Sequence, residues 1–148
     1  MMRSAQCKRG SISFWSRRLS ARVWVDMIAV EVEGEPPSAK DRADIEATMK
    51  SDGQLAAARF SSITFASTSI AKQPDGRLLV TGRLTIRGVA QDVKFPAQVA
   101  LDGGLLRGRA QITFKQSSFG YQPYRAVLGA IQNKDEVILH IDLGAKAP

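Results

Sequence analysis

His140 is the one histidine among 148 residues, and it stands two positions from Asp142 and four from Glu136. An imidazole between two carboxylates could ligate a metal ion or run acid–base chemistry. The pattern around it argues against both. Val137, Leu139, Ile141 and Leu143 alternate with Glu136, Ile138, His140 and Asp142. That period of two makes a strand and turns the three titratable residues onto its outer face. With no second histidine and one cysteine, Cys7, neither zinc-ligand spacing nor a Ser-His-Asp triad can be assembled. The other acidic residues fall on turns, a helix or outward strand positions, leaving no carboxylate pair to face a pocket. No GxxxxGK loop is present, and Asp102-Gly103-Gly104 is hairpin chemistry instead. Cys7 sits beside two cations, Lys8 and Arg9, without a partner residue to make it a nucleophile. The expectation is a protein that is not an enzyme, with no catalytic residue, metal or cofactor.

Charge points elsewhere at first. The chain has 21 Lys and Arg against 14 Asp and Glu, a net +7, which would suit a polyanion. No acidic residue precedes Asp26, however, and Arg3, Lys8, Arg9, Arg17, Arg18 and Arg22 come before it. From Asp26 onward there are 15 basic and 14 acidic residues, so the body is nearly neutral. A nucleic-acid domain would keep a basic stripe with interleaved aromatics on that body; nucleic acid is therefore not an expected partner. The basic run reads as a solvated leader over residues 1–9, ahead of a domain at 10–146. No apolar run in the first twenty residues exceeds two, against the ~7–15 of an export signal. No run of ~18 apolar residues exists, so no transmembrane helix is expected.

The elements that must position any site are strands. Leu78, Val80, Gly82, Leu84 and Ile86 share one face, and Val89, Val93, Phe95, Ala97, Val99 and Leu101 form the next, with Gln91 as its polar member. Leu106, Gly108, Ala110, Ile112 and Phe114 follow after the Asp102-Gly103-Gly104 turn. Earlier candidates are residues 10–15, one long strand over 21–33 closed by Glu35-Pro36-Pro37, and a strand from Ile63 and Phe65. One helix lies between, capped by Ser38 or Asp41, with Ile45 and Met49 on one face, a Glu46–Lys50 pair, Gly53 as its stop and Leu55 folding back. About seven antiparallel strands wrapping one interior, with one helix among the early ones, predict an all-β barrel or closed-up sandwich.

Several strands run 11–13 residues by this reading, roughly 36–43 Å of chain, which gives a tilted barrel an interior about 27–33 Å tall. Gly82, Gly108 and Ala110 face inward, where small side chains either leave space for a ligand or permit strand bends. A cavity and a packed core remain equally consistent with this pattern. Phe114, Phe119, Tyr121 and Tyr124, with Pro123 between the tyrosines, either ring a cavity mouth or pack as core and loop.

Four segments carry a family resemblance. Val80-Thr81-Gly82-Arg83-Leu84-Thr85-Ile86-Arg87-Gly88-Val89 resembles the G-x-L-T-I-R-G-V segment of the YceI-like family of polyisoprenoid-binding proteins. Leu55-Ala56-Ala57-Ala58-Arg59-Phe60 with Ile63-Thr64-Phe65-Ala66-Ser67 is similar to its L-D-x-x-x-F-P-x-I-x-F-x-S, although Ser61 replaces the usual proline. Phe119-Gly120-Tyr121 is similar to its F-G-I, and Asp135-Glu136-Val137 to its D-E-V. The resemblance implies a lipocalin-like antiparallel barrel of eight strands with a helix packed across it. It further implies non-covalent carriage or storage of a long isoprenoid or other amphipathic lipid, no enzymatic step, and a periplasmic home. It tips the interior towards a cavity.

Alternation then nominates Phe65, Val80, Leu84, Ile86, Val93, Phe95, Ile112, Phe114, Phe119, Tyr121, Leu139 and Ile141 as the ligand-contacting residues. The departure is N-terminal, where neither a signal peptide nor the family's H-S-x-V-x-F segment is matched. The expectation is a start-truncated form, or one whose residues 1–9 improvise the missing edge. An open seam also leaves room for strand addition or a homodimer with no bound ligand.

Overall fold

The alternating runs fold as a computed structural model that describes residues 2–7, 10–15, 18–25, 28–32, 36–126 and 131–146. Its strands are β1 (Met2–Cys7), β2 (Gly10–Trp15), β3 (Arg18–Trp24), β4 (Ile28–Val32), β5 (Ser62–Lys72), β6 (Leu78–Ile86), β7 (Val89–Asp102), β8 (Leu105–Lys115), β9 (Arg125–Ala126), β10 (Ile131–Gln132) and β11 (Glu136–Lys146). The helix α1 spans Ala39–Lys50, and a 3-10 turn covers Gln116–Phe119. Lys8, Arg9, Arg17, Asp26, Met27, Glu33 and Glu35, used in the sequence reading, lie outside the described residues.

Nine strands form one sheet in the order β2-β3-β5-β6-β7-β8-β11-β1-β4, and β9 pairs with β10 separately. The run β3-β5-β6-β7-β8-β11 is antiparallel throughout. Its turns follow from local chemistry. Arg87 and Gly88 (φ +52° and +73°) join β6 to β7, and Gly103 and Gly104 (φ +55° and +81°) join β7 to β8. Two successive left-handed residues form the hairpin turn whose twist matches that of the strands.

Chain connectivity forces this sheet to curl. β3 and β4 stand second and ninth in the order, seven spacings apart, or about 34 Å if flat at ~4.8 Å per strand. Yet four residue steps, spanning at most about 14 Å, connect Trp24 to Ile28. The sheet must therefore curl until β3 and β4 lie within that distance, which makes an all-β, lipocalin-like half-barrel with one helix. A bulge between Ser67 and Ser69 helps bend β5, and Ser67 Oγ accepts from Leu19 N there at 2.7 Å.

The strand assignments change in three places. The single strand over 21–33 is two, because the chain crosses from one end of the sheet to the other between β3 and β4; a local pattern carries no sign of such a crossing. Residues 2–7, read either as part of a leader or as a stretch that improvises the missing edge, form β1, parallel to β11 and antiparallel to β4. Sheet pairing uses backbone groups, so the one cation of this strand, Arg3, does not prevent it. The strand count rises from seven to nine in the main sheet.

The helix starts where its cap predicts. Ser38 Oγ accepts from Asp41 N at 3.1 Å and donates to Asp41 Oδ2 at 2.7 Å. Met49 is buried, and Leu55 folds back with its N–H on Met49 O at 2.9 Å. Gly53 is not the stop. Ser51 is the C-cap, and the left-handed residue is Ala56 (φ +49°), fully buried. No described helix is long and apolar enough to cross a membrane.

Candidate ligand-binding site

Inward residues of six elements meet in one apolar cluster. Phe65 comes from β5, Val80, Leu84 and Ile86 from β6, Phe95 from β7, Ile112 from β8, Leu139 from β11, and Phe119 with Tyr121 from the turn after β8; all nine are buried. Val93, Phe114 and Ile141 pack against them half-buried. The structure thus brings all twelve nominated residues together, and it packs them on one another. Phe65 meets Phe95 edge-on at 5.3 Å between ring centroids, and Phe114 meets Phe119 at 5.2 Å.

Buried polar groups in this region are already engaged. Gln116 Nε2 donates to Lys134 O at 2.9 Å and Gln54 Nε2 to Gln122 O at 3.0 Å. Among the described residues, no buried side-chain nitrogen or oxygen lacks a partner. Such an interior offers burial of apolar surface and no free polar group to grip a head group.

The two ends of the half-barrel differ. At the β6–β7 turn the aromatics close it. Phe60 packs on Gly88, Val89 lies against Gly120, and the Arg87 guanidinium lies over the Tyr121 ring at 5.6 Å. Phe119 and Tyr121 are therefore core and plug, while Tyr124 is exposed. At the β7–β8 turn the inward face is open. Along β7, Phe95 is buried, Ala97 half-buried, and Val99 and Leu101 are 48% and 67% exposed. Leu106 opposite is 38% exposed.

The inward glycines separate in the same way. A Cβ on Gly82 would collide with the Ala66 carbonyl and the Phe65 ring, so Phe65 fills that space. A Cβ on Gly108 would meet nothing within 4 Å. Val99, Leu101, Leu106 and Gly108 were not among the nominated residues. The signal was present, since alternation runs unbroken to the strand ends, but alternation reports face and not depth.

Burial also moves the Tyr121 phenol well above the ordinary tyrosine value, with the Arg87 cation opposing and Asp135 assisting. The folded value is raised, so its contribution to stability is complete below about pH 10 and fades as pH rises beyond that. Tyr121→Phe is expected to remove this alkaline loss of stability, read as a flatter denaturation midpoint between pH 9 and pH 11.

The opposite face carries His140 and Asp142, both exposed. A groove of about 800 Å³ is lined by the outward Arg109, His140 and Asp142 together with Phe95, Ala110 and Ile141, among others. Arg109 Nε donates to Asp142 Oδ2 at 3.1 Å, and another outward ion pair, Arg83 to Asp92, spans 3.3 Å. No group of three His, Cys, Asp or Glu among the described residues could hold a metal ion.

Comparison with known proteins agrees with the fold. The family profile described as YceI-like domain matches residues 4–145. The crystal structure of Burkholderia cenocepacia BcnA is similar with a TM-score of 0.70 at 21% identity, covering 93% of this chain and 83% of that one. A Campylobacter jejuni YceI protein is similar with a TM-score of 0.66 at 18% identity, covering 95% and 81%. A search of curated proteins found no match.

Proposed function

The chain belongs to the YceI-like family, and from that premise we propose that it binds the hydrocarbon part of an isoprenoid or other amphipathic lipid in its barrel, non-covalently and without a chemical step. The observation that carries this reading is an inward apolar face that continues past its packed core into solvent at Val99, Leu101 and Leu106. Large apolar side chains clustered on a concave surface mark a site for an apolar partner. The absence of an unpaired buried polar group among the described residues fits a ligand recognised by its tail. Affinity would come from burial, about 25 cal/mol per Å² of apolar surface before the costs of binding. The family is generally periplasmic, and a carrier that shields a tail from water suits that compartment.

Native mass spectrometry tests the reading after mixing with farnesol, decaprenol and a phospholipid. One retained lipid per chain is expected. Protein recovered empty from every mixture would overturn it.

A second reading rests on the sheet edges. β2 and β4 each have one neighbour in the sheet, so their outer backbone groups can accept a strand from another chain. Concentration-dependent dimerisation without lipid uptake would favour it.

A further inference from the structure

On the premise that the barrel takes an apolar chain, we propose that it seats only about the terminal ten carbons of that chain, in a trough at the β7–β8 end, and that longer tails project out of the protein. The trough is built from three cross-strand rows on the inward face. Ala97, Ala110 and Ile141 form the innermost, Val99, Gly108 and Leu143 the middle, and Leu101 with Leu106 the lip. Gly108 is the low point between larger neighbours, with open space where its Cβ would be.

Depth is what limits the ligand. Beyond the innermost row Phe95, Ile112 and Leu139 are buried against one another, and the far end is plugged by Phe119 and Tyr121. From Ala97 to Leu101 the strand advances four residues, about 14 Å. At roughly 1.25 Å of advance per carbon, from a bond of ~1.5 Å and an angle near 111°, that length holds about eleven backbone carbons, a little under three isoprene units. A chain entering further would have to displace side chains packed at close to crystal density.

A second copy of the protein is a poorer occupant. Val99, Leu101 and Leu106, exposed to 48%, 67% and 38%, make a patch of at most a few hundred Å², against about 800 Å² per partner in a standard interface. A single hydrocarbon tail suits a narrow trough of that area.

The test is a chain-length series of n-alkanoates from six to eighteen carbons, titrated calorimetrically below their micelle concentrations. Affinity should rise about two- to fourfold per methylene up to ten to twelve carbons and then level off. Gly108→Phe should weaken every member about tenfold or more while leaving the urea midpoint unchanged, because the new ring enters open space. Affinity still climbing from twelve to eighteen carbons would overturn the trough and leave lipid binding standing. Failure of every alkanoate to bind would overturn both. A plateau that Gly108→Phe does not disturb would place the chain elsewhere and overturn the trough. So would a dimer in sedimentation that excludes alkanoates and dissociates on Leu101→Asp.

Discussion

Gly82→Ala is expected to destabilise the protein by about 3 kcal/mol, the upper part of the range for inserting a methyl group into a packed interior. The added Cβ would sit 2.5 Å from Phe65 Cζ and closer still to the Ala66 carbonyl oxygen. The ring could rotate away, at the cost of its edge-on contact with Phe95. The carbonyl belongs to the β5–β6 ladder and cannot move without disturbing it. Gly108→Ala supplies the control. It lies on the same inward face two strands away, its Cβ meets nothing within 4 Å, and its change should stay within about 0.5 kcal/mol. Urea unfolding of both variants measures the contrast. Equal costs would mean that the interior is not closed at one end and open at the other.

The second large effect is expected from Ile112→Ala, a loss of about 3–4 kcal/mol. Ile112 is 2% exposed on β8 and sits opposite Leu139 of β11, in the centre of the cluster. Removing most of its side chain sacrifices transfer free energy and leaves a cavity that neighbouring strands, fixed by their ladders, can only partly collapse into. The urea midpoint should fall with little change in slope. A cost below about 1 kcal/mol would show that the residues around Ile112 line a collapsible or ligand-filled space. This variant therefore separates a packed core from a long cavity running the full height of the barrel. Leu101→Ala, at the exposed lip, should cost little stability and act on ligand affinity instead.

The twelve residues nominated as ligand contacts show how much of the site was legible. The ten that lie on strands face inward, because side-chain direction is set by the strand's own period of two, while Phe119 and Tyr121 are buried from the turn after β8. Turns were legible for a similar reason. Gly88 and Gly103-Gly104 announce left-handed backbone, and Ser38 announces a helix start; each is a property of a few adjacent residues. The nominated set nevertheless lies mostly in the packed half of the interior, while the open half is made by Val99, Leu101, Leu106 and Gly108. Both halves have the same alternating pattern. What differs is whether Phe60, Phe119 and Tyr121 arrive from elsewhere to close the end, and that is a long-range fact.

The chain by itself determined the strands from Ser62 onward, their inward face, the helix over Ala39–Lys50 and the lack of an apolar run long enough for a membrane-spanning helix, all from spacing between near neighbours. It also carried the family resemblance. Tertiary structure decided that residues 21–33 divide between opposite ends of one sheet, and that residues 2–7 fill the place beside β11. It decided also which inward glycine is filled and which is open. Gly82 and Gly108 occupy equivalent positions in two alternating strands. One is covered by the Phe65 ring from a neighbouring strand and the other faces open space, because packing depends on what the curled sheet brings near and not on the residue's own neighbours in sequence.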